Sequence, residues 1–282
     1  MFAIVLIVNG TNHMRVAALQ LQSQDEILAN LTTCEYWISA AASEGAQFIV
    51  LPENFAYFGD ERGRRGVAES LLGPAGPIRK MLSRCALQHS VAILAGGWPE
   101  ATGCSRLPYN SATVFVRDGG ILANYRKIHR FDVTLPSGEV ARESSAVSAG
   151  SEIVCCDLNG FRVGLSICYD LRFPELYRRL VERGSNVLCI PSAFTKETGK
   201  DHWHLLVRAR AIESQCWVIA ANQWGTHPAG RSTYGHSIVV DPWGNICAEA
   251  GPGTGMIVTD IHSASVAAIR ASMPCLYHRR NL

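Results

Sequence analysis

The sequence predicts a single α/β domain, on three observations. Segments of strand and helix character alternate along most of the chain. Phe48-Ile49-Val50-Leu51 is a short continuous apolar run, the pattern of a strand buried on both faces, and Asn186–Ile190 is read as another buried strand, ending at Pro191. Two hairpins, turning at Asp118-Gly119-Gly120 and at Asp241-Pro242-Trp243-Gly244, insert antiparallel pairs among these units. No internal repeat, low-complexity tract or linker divides the sequence.

In order along the chain, Phe2–Val8 is apolar but far too short to span a membrane, and it lacks a basic leader or cleavage site. Residues 1–13 are read as an extension and 14–282 as the domain. Arg15–Gln22 is a strand. Asp25–Glu44 is a helix, with Leu28, Leu31, Cys34, Ile38 and Ala41 at helical spacing, Ser23 as N-cap and Gly45 as stop. The strand Phe48–Leu51 ends abruptly in Pro52-Glu53-Asn54. A helix over Pro77–His89 and a strand over Val91–Gly96 follow, then the hairpin Asn110–Arg117 and Ile121–Tyr125. The remaining expectations are strand Gly160–Ile167, helix Pro174–Arg183, strand Asn186–Ile190 and helix Trp203–Glu213. Strand Trp217–Ala221 and the hairpin His236–Val240 with Ile246–Ala248 complete the reading.

Composition narrows the function. With 282 residues, 48% of them hydrophobic, the chain can bury a large core. A net charge of +2 offers no basic face for nucleic acid, and Arg62, Arg64 and Arg65 read as a solvated loop. The ten cysteines show no disulfide framework and no CxxC pair, which fits free thiols in a reducing cytoplasm. Cys189 and Cys216 read as core, and Trp243 as packing at its turn. No phosphate-binding glycine motif supports a nucleotide, and no cofactor is expected. His202 and His204 form an HxH pair without a third metal ligand, and on a helix their side chains diverge, so no metal site is assigned. His129 reads as loop-ordering.

Three strands end on residues with catalytic chemistry: Glu53 in IVLPENF, Lys127 in NYRKIH and Cys168 in LSICYDLRF. In α/β sheets, ligand sites gather beyond strand ends, so these residues can converge. Taken singly, a cysteine at such a position is most often a buried core thiol. Together the three supply a nucleophile, a base and a cation, a complete set for attack on a carbonyl. A free thiol of pKa about 8.5 is only about 3% thiolate at neutral pH. A neighbouring ammonium is expected to favour the thiolate, and a carboxylate can accept the proton. Arg172, four residues past Cys168, either meets a substrate carboxylate bidentately or ties its loop to Glu175 or Asp170.

LPENF, YRKIH and ICYDLRFPELYR, in this order, resemble the motifs of the nitrilase superfamily of carbon–nitrogen hydrolases. PSAFTKETGKDHWHLLVRARAIESQCWVIAANQWG and RSTYGHSIVVDPWG are also similar to that family, and point to its Nit branch. The resemblance covers the chain from about Met14 onward. It implies a four-layer α-β-β-α sandwich that assembles through outer helices into homodimers or larger homo-oligomers. It implies amide hydrolysis through a cysteine thioester, releasing ammonia or an amine. Cys168 would be the nucleophile, Glu53 the general base and acid, and Lys127 with the Tyr169 N–H the oxyanion donors. Glu143, with Glu139 as a nearby competitor, would be the additional glutamate that positions lysine and substrate, and Phe194 and Thr195 would form a pocket wall. The branch acts on deaminated glutathione and related 2-oxo amides. An ω-amidase for 2-oxoglutaramate, an N-carbamoyl amino acid hydrolase and an aliphatic nitrilase are the alternatives within the superfamily. From another class, a redox-sensing or interaction protein would carry Cys168 incidentally.

Overall fold

The computed structural model describes residues 12–103, 107–138 and 140–280. Most of the expected N-terminal extension, and Glu139, lie outside them. Two six-stranded sheets form the centre. The first runs, edge to edge, Gly255–His262, His13–Gln20, Phe48–Val50, Ala92–Glu100, Tyr109–Phe115 and Ile121–Arg126. The second runs Ile246–Glu249, Ile238–Val240, Trp217–Ala220, Val187–Cys189, Phe161–Leu165 and Cys155–Leu158. In each, the parallel strands lie inside and antiparallel strands close the edges.

The layering follows from the two-residue period of a strand. In the first sheet Ala17, Leu19, Ile49, Leu51, Ile93 and Ala95 pack against helices Ile27–Ser43 and Pro77–His89 through Leu31, Cys34, Ile38, Ile78 and Leu82. Their alternates, Val16, Ala18, Phe48, Val50 and Leu94, join the core formed with the second sheet. The far face of that sheet carries helices Pro174–Glu182 and Lys196–Ser214, whose Leu176, Leu180, Val207 and Ala211 complete the same core. The result is α-β-β-α. Strands covered on both faces have no polar side to alternate with, which is why they read as unbroken apolar runs.

Several local expectations are corrected. The first strand begins at His13, where it pairs with His262. Ser23 is not an N-cap: its hydroxyl donates to the Phe55 carbonyl (3.0 Å), and the helix starts only at Ile27 after an uncapped Glu26. The helix expected at Trp203 begins at Lys196, where Thr195 accepts from the Thr198 N–H. Trp243 is 54% exposed rather than packed. Cys189 and Cys216 are fully buried. No helix among the described residues is long and apolar enough to cross a membrane.

Candidate active site

Glu53, Lys127 and Cys168, separated by as many as 115 residues in sequence, meet where their strands end. Glu53 follows Phe48–Val50 in the first sheet, and Lys127 follows the edge strand Ile121–Arg126. Cys168 follows Phe161–Leu165 in the second sheet. The Lys127 ammonium donates to Glu53 Oε1 (2.9 Å) and to Glu143 Oε1 and Oε2 (3.0 and 2.9 Å). All three side chains are withdrawn from solvent, Lys127 to 2% exposure. Glu53 also accepts from the Asn110 amide on Oε1 (2.8 Å) and from the Ala193 N–H on Oε2 (3.0 Å). Glu143 accepts from the same Asn110 amide (3.1 Å) and from the Phe131 N–H (2.7 Å).

The local backbone is built for this crowding. Gly97 has φ +51°, and a Cβ there would lie 2.5 Å from Glu53 Cγ and 2.9 Å from its Cα, so only glycine lets the neighbouring strand pass. Cys168 itself has φ +47°, in the left-handed region that L residues occupy at a cost of roughly 1–2 kcal/mol. Two contacts hold it there. Its N–H donates to the Pro191 carbonyl (2.8 Å), and Asp170 folds back to accept the Ile167 N–H (2.9 Å). Fully buried Asp170 also accepts from the Tyr125 hydroxyl (2.7 Å), the His129 N–H (3.1 Å) and His129 Nδ1 (2.7 Å). His129, stacked on Phe173 at 3.7 Å, therefore orders the turn.

The electrostatics revise one expectation. The pKa of Cys168 is raised, first by burial and then by the charge of Glu53, and Lys127 only partly opposes this. Burial and Glu53 thus favour the protonated thiol at Cys168, and the ammonium that would oppose them is already shared by two carboxylates. Lys127 nonetheless stays charged: burial disfavours its proton, but Glu143 and then Glu53 more than compensate and raise its pKa. Glu143 runs the other way. Burial alone would raise its pKa, yet Lys127 and the Phe131 N–H hold it below its ordinary value. Alkylation of Cys168 by iodoacetamide is accordingly expected to accelerate with pH up to 9 and beyond. A rate already level at neutral pH would place a thiolate in the resting site.

The cluster opens into a cavity of about 410 Å³, a size that suits a small molecule. Glu53, Lys127, Glu143, Cys168, Tyr169, Arg172, Phe194 and Thr195 all line it, so the residues the sequence assigned to the site share one cavity. Tyr169 packs edge-on between Phe131 and Phe173 (5.1 and 5.3 Å). Arg172 is tied to neither Glu175 nor Asp170; it lies over the Phe194 ring (5.1 Å) and approaches His202 Nδ1 (3.4 Å). His202 and His204 diverge, and His204 instead shares Glu249 Oε1 with His236 (2.8 and 2.6 Å). His204, His236 and Glu249 bring ligand-type atoms within 4.8 Å, a third potential ligand beside His204 that the sequence did not place, with one nitrogen of each imidazole on the carboxylate.

Sequence reasoning missed Asn110, Asp170, Arg64 and Arg231. Asn110 sat inside a predicted strand, where a polar side chain gives no signal of its target. Arg64 was expected in a solvated loop. It is buried because the short helix Glu61–Gly66, capped by Asp60 through the Gly63 N–H (2.7 Å), places the Arg64 guanidinium on Asn54 Oδ1 (2.7 Å).

Fold and geometry define a class: a layered α/β scaffold holding a thiol, two carboxylates and an ammonium in one buried cluster. The chain belongs to the carbon–nitrogen hydrolase family, whose pattern matches residues 15–271. It is 43% identical over 267 residues to the deaminated glutathione amidase of Synechocystis sp., an alignment covering 93% of this chain and 97% of that one. It is 36% identical over 267 residues to the human omega-amidase NIT2, covering 95% of each. Among solved structures, Saccharomyces cerevisiae Nit3, a member of branch 10 of the nitrilase superfamily, superposes with a TM-score of 0.85 at 31% identity. That match covers 93% of this chain and 95% of that one.

Proposed function

We propose that this carbon–nitrogen hydrolase is a thiol amidase for a small carboxylate-bearing 2-oxo amide, with deaminated glutathione first. The observation that carries the reading is the buried Glu53–Lys127–Glu143 ion cluster around Cys168 in one cavity. Such a cluster is costly to bury and weak as a source of stability, so chemistry is its best account. The 43% identical Synechocystis protein bears that amidase name, and the 36% identical human relative supports 2-oxoglutaramate as the second candidate.

The steps follow from the residues. Glu53 takes the thiol proton as Cys168 Sγ bonds to the amide carbon. Lys127 has three N–H donors, and with Glu143 chelating one of them and Glu53 another, a third is left for the oxyanion beside the Tyr169 N–H. Collapse breaks the C–N bond, and Glu53 returns the proton to the departing amine. For deaminated glutathione this amine is cysteinylglycine; ammonia leaves only from a primary amide. Glu53 then deprotonates the water that attacks the thioester, and Cys168 leaves and regains its proton. Asn110, bonded to both glutamates, keeps their separation fixed. Exposed Leu205 and Ile212 on an outer helix support assembly into a homodimer or larger homo-oligomer.

The test is the ratio of kcat/KM for deaminated glutathione to that for 2-oxoglutaramate. The expected ratio exceeds one; a preference for 2-oxoglutaramate would make this an ω-amidase.

A further inference from the structure

The cavity wall carries more positive charge than its carboxylates engage. Arg64, Arg142, Arg172 and Arg231 all line it, and among the described residues none is ion-paired to a carboxylate. Arg142 spends its guanidinium on the Val133 and Ala141 carbonyls, and Arg172 lies beside the nucleophile turn over Phe194. The other two belong to the Phe58–Asp60 side of the lining, Arg64 on the short helix that follows Asp60. Arg231 donates to the Gly59 carbonyl (3.0 Å) and lies over the Phe58 ring at 5.4 Å.

Arg64 is the unusual member. It is 9% exposed, its Nη2 donates to Asn54 Oδ1 (2.7 Å), and its Nη1 is buried with no partner among the described residues. A buried guanidinium with an idle donor is expensive unless an anion completes it. Burial lowers its pKa, and the charges of Glu143 and Glu53 restore it only in part, while Arg231 works against it. Asp60 also lines the cavity, but it accepts from the Gly63 N–H and is not ion-paired to either arginine, so among the described residues both guanidinium charges line the cavity without a paired carboxylate.

We propose that Arg64 and Arg231 form a second carboxylate subsite that binds the terminal carboxylate on the leaving-amine side of the substrate. The inference rests on the amidase reading above and sharpens it. The substrate class is then a 2-oxo amide with two carboxylates, one at the oxo-acid end and one beyond the scissile bond. Deaminated glutathione has both, whereas 2-oxoglutaramate has only the first. A planar fork suits a carboxylate through two parallel bonds, which a lysine at the same place does not reproduce.

The experiment compares kcat/KM on deaminated glutathione with that on its C-terminal carboxamide, following release of 2-oxoglutarate, for wild type, Arg64→Met, Arg64→Lys and Arg231→Gln. Wild type is expected to prefer the free acid, and Arg64→Met to cut that preference by roughly 10- to 150-fold, mainly through KM. Arg64→Lys retains the charge and is expected to recover only part of it. Arg231→Gln, which leaves the buried charge in place, is expected to reduce the preference in a folded enzyme. Equal losses on both substrates with a shifted pH profile would make Arg64 a charge-balancing residue and overturn the proposal. An unchanged preference in Arg64→Lys and Arg231→Gln would also overturn it. If wild type hydrolyses neither substrate yet cleaves other amides, the amidase reading for this substrate fails first, and the subsite with it.

Discussion

Cys168→Ala is expected to abolish amide hydrolysis while leaving a folded protein. Loss of the nucleophile removes the acyl transfer itself, and reductions on the order of 10⁶ in kcat accompany such deletions in other hydrolases. The fold has little reason to object. The thiol is replaced by a hydrogen in a site already open to the cavity, and the turn is held by Asp170 and by the Cys168 N–H rather than by sulfur. Alanine inherits the same left-handed strain at φ +47°. Cys168→Gly sharpens the comparison, because glycine occupies that region freely: it should be equally inactive yet melt no lower than the alanine variant. Activity and circular-dichroism melts on the two variants check this. Surviving hydrolysis in either would remove Cys168 from the mechanism and return it to the core thiol that its sequence context first indicates.

The second large effect is expected at Lys127. Lys127→Met keeps the length of the side chain but leaves Glu53 and Glu143 facing each other through Asn110 with no cation between them. Breaking a buried ion cluster in this way costs about 3–5 kcal/mol, and activity should fall below detection as the oxyanion donor and the cation facing Glu53 disappear together. The pH dependence carries the sign. In wild type the Glu143 pKa is held below its ordinary value by Lys127, so its contribution to stability is present above the unfolded pKa and is lost as pH falls through the folded one. Without Lys127, Glu143 keeps its burial but loses the cation that holds its pKa down, so its protonated form is favoured and the variant gains stability as pH falls. The gap in Tm between wild type and variant should therefore close on acidification from neutral pH toward the carboxylate range. A gap that stays constant would mean that Lys127 is not what holds the Glu143 pKa down.

Much of the fold was legible because its strands are buried on both faces. Phe48–Val50 and Val187–Cys189 each appear as a short apolar block ended by proline, too short for a helix and so read as buried strand. Outside that regime, strands marked by a hairpin turn were still found, as at Ile121–Arg126 and Ile246–Glu249, but others were missed. Gly255–His262, half-buried along nearly all its length, and Cys155–Leu158, at the opposite sheet's edge, carry no clear period. Helix Lys196–Ser214 was shortened at its start because Lys196, Glu197 and Lys200 hide a first turn that its Thr195 cap makes secure.

The site divides the same way. Glu53, Lys127 and Cys168 were readable because each terminates an apolar run, and a polar residue at such a place has few structural duties. Asp170 and Asn110 were not, since their value lies in partners 41 and 57 residues distant, His129 and Glu53, that only the folded chain brings near. Arg64 was misjudged for a related reason. Three arginines around a glycine look solvated, and only the Asp60 cap and the reach of Asn54 turn one of them inward.

The central claim, that Cys168 carries the acyl group during turnover, is tested most directly by quenching the wild-type enzyme in acid during hydrolysis of deaminated glutathione and mapping the adduct by peptide mass. The account predicts a 2-oxoglutaryl thioester on the peptide containing Cys168 and on no other, with none formed by Cys168→Ala. An adduct on a different residue, or undiminished turnover by the alanine variant with Cys168 unmodified in wild type, would contradict it.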